Sequence, residues 1–236
     1  MHLSGQQPIF ESRYDAGNQL AAKLTEYKGK STIVLAIPNG GVLSALGVAL
    51  ALEADLNLVI SRKIPLPLSP EGGFGAVTDD GTIILNDDMV KKAGLSQTQI
   101  NYQVNRVRAD IRQRSLEYRR EIPPAQLNGK TVIIVDDGLA SGYTMMAAVE
   151  SLRHSRAGSL IVAVPVASAT ALPKVSKIAD KIITCVHGFA AEFYVSDFFR
   201  YWHEPGDDEV IQCFKEWRIR RRPIIELPER KTIPEY

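Results

Sequence analysis

Asp136 and Asp137 stand side by side, directly after the apolar run Val132-Ile133-Ile134-Val135 and directly before a turn of small residues, Gly138, Ala140, Ser141 and Gly142. Ionised carboxylates accept hydrogen bonds and donate none, so an adjacent pair suits vicinal hydroxyls. Small residues leave backbone N–H groups bare, and Thr144 opens an apolar helix whose N-terminus favours an anion. Acids beside a phosphate cradle repel the phosphate unless they serve another group of the same ligand. Read from the residues alone, 131–144 fits a sugar phosphate, its ring over the acids and its phosphate in the turn. The plainer alternative is a strand–turn–helix corner in which the acids only cap the helix. A second turn, Pro38-Asn39-Gly40-Gly41, again joins a buried strand to an apolar helix and offers amides to an anion. Arg62 and Lys63 end the next strand. Alternation sends their side chains to opposite faces, so at most one points straight into a site.

Residues 132–144 resemble the phosphoribosyl-diphosphate (PRPP) signature of the type I phosphoribosyltransferases: an apolar strand, two acids, a spacer, then small-Ser/Thr-Gly-x-Thr. The resemblance implies that Asp136 and Asp137 bind the ribose 2′- and 3′-hydroxyls. It implies that Ala140, Ser141, Gly142, Tyr143 and Thr144 wrap the 5′-phosphate. It implies that Asn39, Gly40 and Gly41 bind the pyrophosphate, in a loop that often has an unusual peptide conformation. Asn39 stands where the family frequently carries Arg, which shifts the cationic role to Arg62 and Lys63. Lys63 is the first choice, and Asp136, Asp137 and Lys63 form the expected catalytic set. Residues 64–81 correspond to a mobile hood in the family. The order Arg62-Lys63-Ile64, a Pro-rich loop and Gly73-Phe74-Gly75-Ala76-Val77 also resembles a bacterial and archaeal branch of phosphoribosyltransferases whose acceptor is unassigned.

The implied reaction is displacement of pyrophosphate from C1′ of PRPP by a nitrogen nucleophile, with Mg²⁺ accompanying PRPP and no direct protein ligand for the metal identified. In the 6-oxopurine branch an aspartate precedes the Thr-Gly pair. Ala140 occupies that position here, which argues against hypoxanthine or guanine as acceptor. A PRPP-sensing regulator without transferase activity, or a ribosyl-phosphate hydrolase, are the alternatives. The aromatic segment 187–205 is one candidate wall of the acceptor site: Phe193, Tyr194, Phe198, Phe199, Tyr201 and Trp202 can stack a ring, and Asp197 can orient or deprotonate a ring nitrogen. It reads equally well as a core-covering or dimer-forming segment.

The elements that must position these residues alternate strand and helix. Apolar patterns place helices at 14–27, 42–54, 86–93, 96–120, 170–178 and 209–222, and strands at 32–37, 56–60, 82–85, 131–135, 160–166 and 181–186. Ser96 and Gln99 form a capping box for the long helix. That helix carries Arg106, Arg108, Arg112, Arg114, Arg119 and Arg120, read mainly as a solvated face with Val104, Val107, Ile111 and Leu116 turned inward. The Pro- and Gly-rich residues 64–81 read as too irregular for core, with Gly72, Gly73 and Gly75 as hinges. The expected fold is α/β: a parallel twisted sheet with helices on both faces, a hood insertion at 64–120, and a C-terminal acceptor-side segment and helical tail at 187–236 within one domain.

Composition agrees with a single enzyme-sized domain. The chain has 236 residues, 45% hydrophobic and 23% charged, and a formal net charge of +1 argues against a nucleic-acid coat. Cys185, Cys213 and the scattered histidines have no metal-site spacing. The sequence shows neither a secretory signal nor a membrane-length apolar run, so the expectation is a cytoplasmic protein. Its expected partners are PRPP, an unidentified acceptor and a second copy in a homodimer, with no nucleic acid or membrane.

Overall fold

The computed structural model describes residues 8–221 except 68 and 191, so the expected tail from 223 lies outside the described residues. Ser12 caps α1 (Arg13–Ala21) by accepting from the Asp15 amide. β1 (Thr32–Ala36) leads into α2 (Gly41–Leu52), and β2 (Asp55–Leu58) follows. Next come β3 (Ser61–Leu66), β4 (Ser69–Thr78), β5 (Ile83–Leu85), α3 (Asp87–Lys92) and the long α4 (Gln97–Glu121). The capping box of Ser96 and Gln99 is formed at the start of α4. The remainder is β6 (Thr131–Val135), α5 (Tyr143–Ser151), β7 (Ser159–Ser168), a four-residue α6 (Leu172–Val175), β8 (Lys181–Gly188) and α7 (Asp207–Arg221).

β2, β1, β6, β7 and β8, in that order, make an all-parallel five-stranded sheet. Alternation divides its side chains between two cores. Val34, Ala36, Ile133, Val135 and Ile161 pack against α1, α2, α4 and α7. Ile33, Leu35, Val132, Ile134 and Val162 pack against α5 and α6. With both faces covered, the strands read as unbroken apolar runs. α2 is buried nearly all round because the sheet, α1 and α7 enclose it. Gly17 permits the α1–α2 approach, since a Cβ there would lie 2.2 Å from the Ser44 carbonyl oxygen.

The chain runs from β1 outward to β2 on one side, while β6, β7 and β8 extend on the other. The strand order therefore reverses between β1 and β6. Crevices at the carboxyl ends of such strands are where open parallel sheets bind ligands. The loops 37–40 and 136–142 leave the sheet there.

Residues 64–81 are not the irregular segment the Pro and Gly content suggested. β3 pairs antiparallel with β4, and β4 with β5, in a separate three-stranded sheet with a register irregularity around Pro65. Ile64, Phe74, Ala76 and Val77 are fully buried. Gly73 and Gly75 serve packing here: added Cβ atoms would meet Lys63 Cγ at 2.5 Å and the Ile84 carbonyl oxygen at 2.4 Å. Two further expectations change. Leu116 is 64% exposed, whereas Tyr118 is buried in its place. The helix expected at 170–178 shortens to the four residues of α6, after which the chain proceeds by turns into β8.

Candidate functional site

The two turns meet in one cleft of about 340 Å³, lined by Pro38, Asn39, Gly40, Ser61, Arg62, Lys63, Arg114, Asp136, Asp137, Thr144, Glu204 and Pro205. Glycine is required where they touch. A Cβ on Gly40 would fall 2.2 Å from Asp137 Oδ2, and one on Gly41 would fall 2.8 Å from Asp136 Cα. The Pro38–Asn39 peptide is cis, an unusual conformation in the loop for which the resemblance implies one.

Asp136 and Asp137 carry the cleft's negative end. Asp136 Oδ1 accepts from the Asp137 amide at 2.9 Å. Burial, and then the neighbouring Asp137 charge, raise the Asp136 pKa well above the ordinary aspartate value. Burial raises Asp137 too, while Arg13 pulls it back and Glu204 adds to the rise. Arg13 Nε donates to Asp137 Oδ2 at 2.8 Å.

The turn after the acids is built as expected at its backbone. Gly142 precedes α5 at φ 85°, in the left-handed region that favours glycine. Among the described residues, no protein acceptor takes the amides of residues 140–144. Strands β7 and β3 brace the turn: the Ser168 hydroxyl of β7 donates to the Ala140 carbonyl at 2.6 Å, and the Ser61 hydroxyl of β3 donates to the Thr144 carbonyl at 2.8 Å. Lys174 lies 4.9 Å from the Tyr143 ring centroid, beside the same turn. An anion held by those amides would sit at a helix N-terminus with a lysine at hand.

Asn39 does not turn its side chain to the open cleft. Its Nδ2 donates to the Pro205 carbonyl at 2.8 Å and to Asp207 Oδ1 at 2.9 Å. Its Oδ1 accepts from Arg114 at 3.1 Å and from Tyr118 at 3.2 Å. Arg114 and Tyr118 also each donate to Asp207 Oδ1 at 2.5 Å. Burial pushes Asp207 up, but hydrogen bonds from Tyr118 and Asn39, with the Arg114 charge, outweigh it and leave Asp207 below its ordinary value. What loop 38–41 presents to the cleft is therefore backbone.

The cations divide unequally. Burial, and then repulsion from Arg114, lower the Arg62 pKa. Arg62 and Arg114 thus form a partly desolvated pair of like charges at the Asn39 end of the cleft. Lys63 also lines the cleft, but its ammonium donates to the Glu71 carbonyl at 2.7 Å in an exposed position. Arg13, Arg114, Tyr118 and Asp207 were not singled out for this site by the sequence reading. Arg114 had a readable signal: 104, 107, 111, 114 and 118 recur at helical spacing, so Arg114 lies on the inward face. Arg13 had none, for its partners come from 124 and 190 residues away.

Phe193, Tyr194 and Asp197 line a different cavity of about 340 Å³, with Ile9, His187, Phe189 and Glu192. It adjoins the acid turn through Val195, since a Cβ on Gly138 would meet Val195 Cγ1 at 2.7 Å. Phe199 and Trp202 are used otherwise. Phe199 packs with Phe10 and Trp202 at ring-centroid distances of 5.4 and 5.3 Å, in a small third core. Tyr194, Tyr201 and Phe189 are exposed. Among the described residues no group of three or more His, Cys, Asp and Glu is placed to hold a metal ion, and no helix is long and apolar enough to cross a membrane.

Residues 8–197 match the phosphoribosyl transferase domain family. Two curated relatives from Mycobacterium tuberculosis, in strains CDC 1551 / Oshkosh and H37Rv, both bear the name "Putative phosphoribosyl transferase". Each is 34% identical over 203 residues, covering 86% of this chain and 46% of its own, so the chain spans about half the length of these relatives. The crystal structure of TT1426 from Thermus thermophilus is similar at 31% identity with a TM-score of 0.71, covering 88% of this chain and 98% of that one.

Proposed function

This chain belongs to the phosphoribosyl transferase family, and we propose that it transfers ribose 5-phosphate from PRPP to a nitrogen acceptor, releasing pyrophosphate. The observation that supports this most is the single cleft in which an acid pair, the first turn of α5 at Thr144 and the guanidinium groups of Arg62 and Arg114 converge, with the small-residue turn 140–143 leading into that helix. Those three features have the polarity of a sugar bearing a phosphate at one end and a diphosphate at the other.

In this reading Asp136 and Asp137 hold the ribose hydroxyls and residues 140–144 hold the 5′-phosphate. The backbone of 39–41, with Arg62, Lys63 and Arg114, faces the diphosphate. Fixing the ribose while the diphosphate leaves brings C1′ to an oxocarbenium-like transition state whose departing charge the guanidinium groups stabilise. Mg²⁺ would accompany PRPP and neutralise its diphosphate, with Asp136 and Asp137 the carboxylates nearest to it in the cleft. The β3–β5 sheet with α4 serves as the hood, excluding water from the reacting carbon. The cavity of Phe193, Tyr194 and Asp197 takes the acceptor ring, and with Ala140 at 140 that ring is not a 6-oxopurine.

The test is a panel: the protein with PRPP, Mg²⁺ and one base at a time, with pyrophosphate measured. Release that depends on one base other than hypoxanthine or guanine is the expected result. Release without any base makes the protein a hydrolase, and PRPP binding without release makes it a sensor; either outcome replaces this reading.

A further inference from the structure

Asp137 is held from outside its own loop. Arg13, at the first turn of α1, is 2% exposed although it carries a full charge. Ser12 caps α1, and Ser44 of α2 donates to the Arg13 carbonyl at 3.0 Å, which pins the start of the helix beneath the acids. The guanidinium then makes three contacts: Nε to Asp137 Oδ2, Nη1 to the His203 carbonyl, and the flat face to the Trp202 ring, with Cζ 3.6 Å from the ring centroid. Nη2 is buried and has no hydrogen-bond partner among the described residues. A buried donor left unmatched works against the fold, so packing alone does not account for this side chain.

The geometry points to Arg13 as the positioning residue of the acid pair: it fixes the orientation of Asp137, offsets its charge, and joins it to the aromatic segment at 199–204. This inference rests on the reading of the acids as the ribose-binding pair. Two buried carboxylates one residue apart resist joint ionisation. Around the cleft that Asp137 lines stand Asp136 from its own turn, Glu204 from the segment before α7, Arg62 and Lys63 from β3 and Arg114 from α4, and Arg13 from α1 lies against Asp137 itself. Of the cations, Arg13 is in direct contact. The contact occupies one Asp137 oxygen, so the other is the one turned to a hydroxyl. Because Arg13 also lies on Trp202, movement of the segment at 199–204 displaces the counter-charge of Asp137. The acid pair and the aromatic segment at 199–204 are thereby linked through one guanidinium.

The test needs no ligand. In the free protein with ¹³C-labelled aspartate carboxyls, the Asp137 resonance is followed against pH in the unmodified chain, in Arg13→Gln and in Arg13→Met, which retains length in the apolar surroundings. The midpoint is expected to move upward by about 1 pH unit or more on loss of the opposite charge. Whichever charge-free variant folds supplies the result, with Arg13→Lys expected between it and the unmodified chain. Trp202 emission, read in a Trp217→Phe background, should follow the Asp137 midpoint, and should lose that transition in Arg13→Met. An unmoved Asp137 midpoint, or Trp202 emission flat through it, overturns the inference. PRPP calorimetry on the unmodified chain is a separate arm. Absence of binding there removes the ribose reading, whatever the Asp137 titration shows.

Discussion

The residue that decides most about this cleft is Asp136. Its carboxyl has a folded-state pKa raised by burial and by Asp137. A raised acid contributes stability that is present below its unfolded value and lost as pH rises through its folded value. At pH 8, far above the ordinary aspartate range, Asp136 therefore costs the fold, and Asp136→Asn should be more stable than the unmodified chain. A gain of at least about 2 °C in Tm corresponds to ~1 kcal/mol in a domain of this size. The difference should vanish as pH falls below the usual aspartate range, and a Tm gap independent of pH would show that charge is not its cause. Such a cost at a site kept for function is the usual trade between stability and activity. The placement of the acid pair in the cleft was legible because strand, acids and small turn are contiguous. The fixing of Asp137 by Arg13 was not, since a contact across 124 positions leaves no local pattern.

At the scale of elements, α4 does more than cover the sheet. It delivers Arg114 to the Asn39 loop while Tyr118 fills the core one turn on. Arg114→Gln should weaken PRPP binding about 10- to 100-fold, the value of a charge-assisted contact of roughly 1.5–3 kcal/mol. Affinity for ribose 5-phosphate, which lacks the diphosphate, should not change; an equal loss for both ligands would place Arg114 outside the diphosphate end. The α1–α2 crossing supplies a stability test. Gly17→Ala drives a methyl into the Ser44 carbonyl and should cost roughly 1–3 kcal/mol by overpacking. An unchanged Tm would mean the helices part without penalty. The parallel sheet and its helices could be read from the sequence because each buried strand is a continuous apolar run. The β3–β4 pair could not, because Pro65, Gly73 and Gly75 mark irregular chain by composition, while in the structure the glycines permit close approach between strands. The error over Leu116 has a similar root: hydrophobicity suggested an inward position, but helical spacing assigns that face to Arg114 and Tyr118.

The whole molecule is a parallel sheet whose reversal of strand order opens a crevice, bordered by β3 of the second small sheet, by α4 and by the end of the aromatic segment at Glu204 and Pro205. Ligand bound across it touches loops from β1, β3 and β6 as well as α4, so it should stabilise the fold as a unit. At 100 times its dissociation constant, PRPP should add about 2.7 kcal/mol, visible as a rise in Tm. The central claim is that Asp136 and Asp137 form the sugar-binding end of a PRPP site. Calorimetric titration of PRPP with Mg²⁺ into the unmodified protein and into the Asp136→Ala, Asp137→Ala double variant tests it most directly. Saturable one-site binding by the unmodified protein, lost in a double variant that still unfolds cooperatively, is the predicted result. Equal affinity in both proteins, or no binding in either, would contradict it.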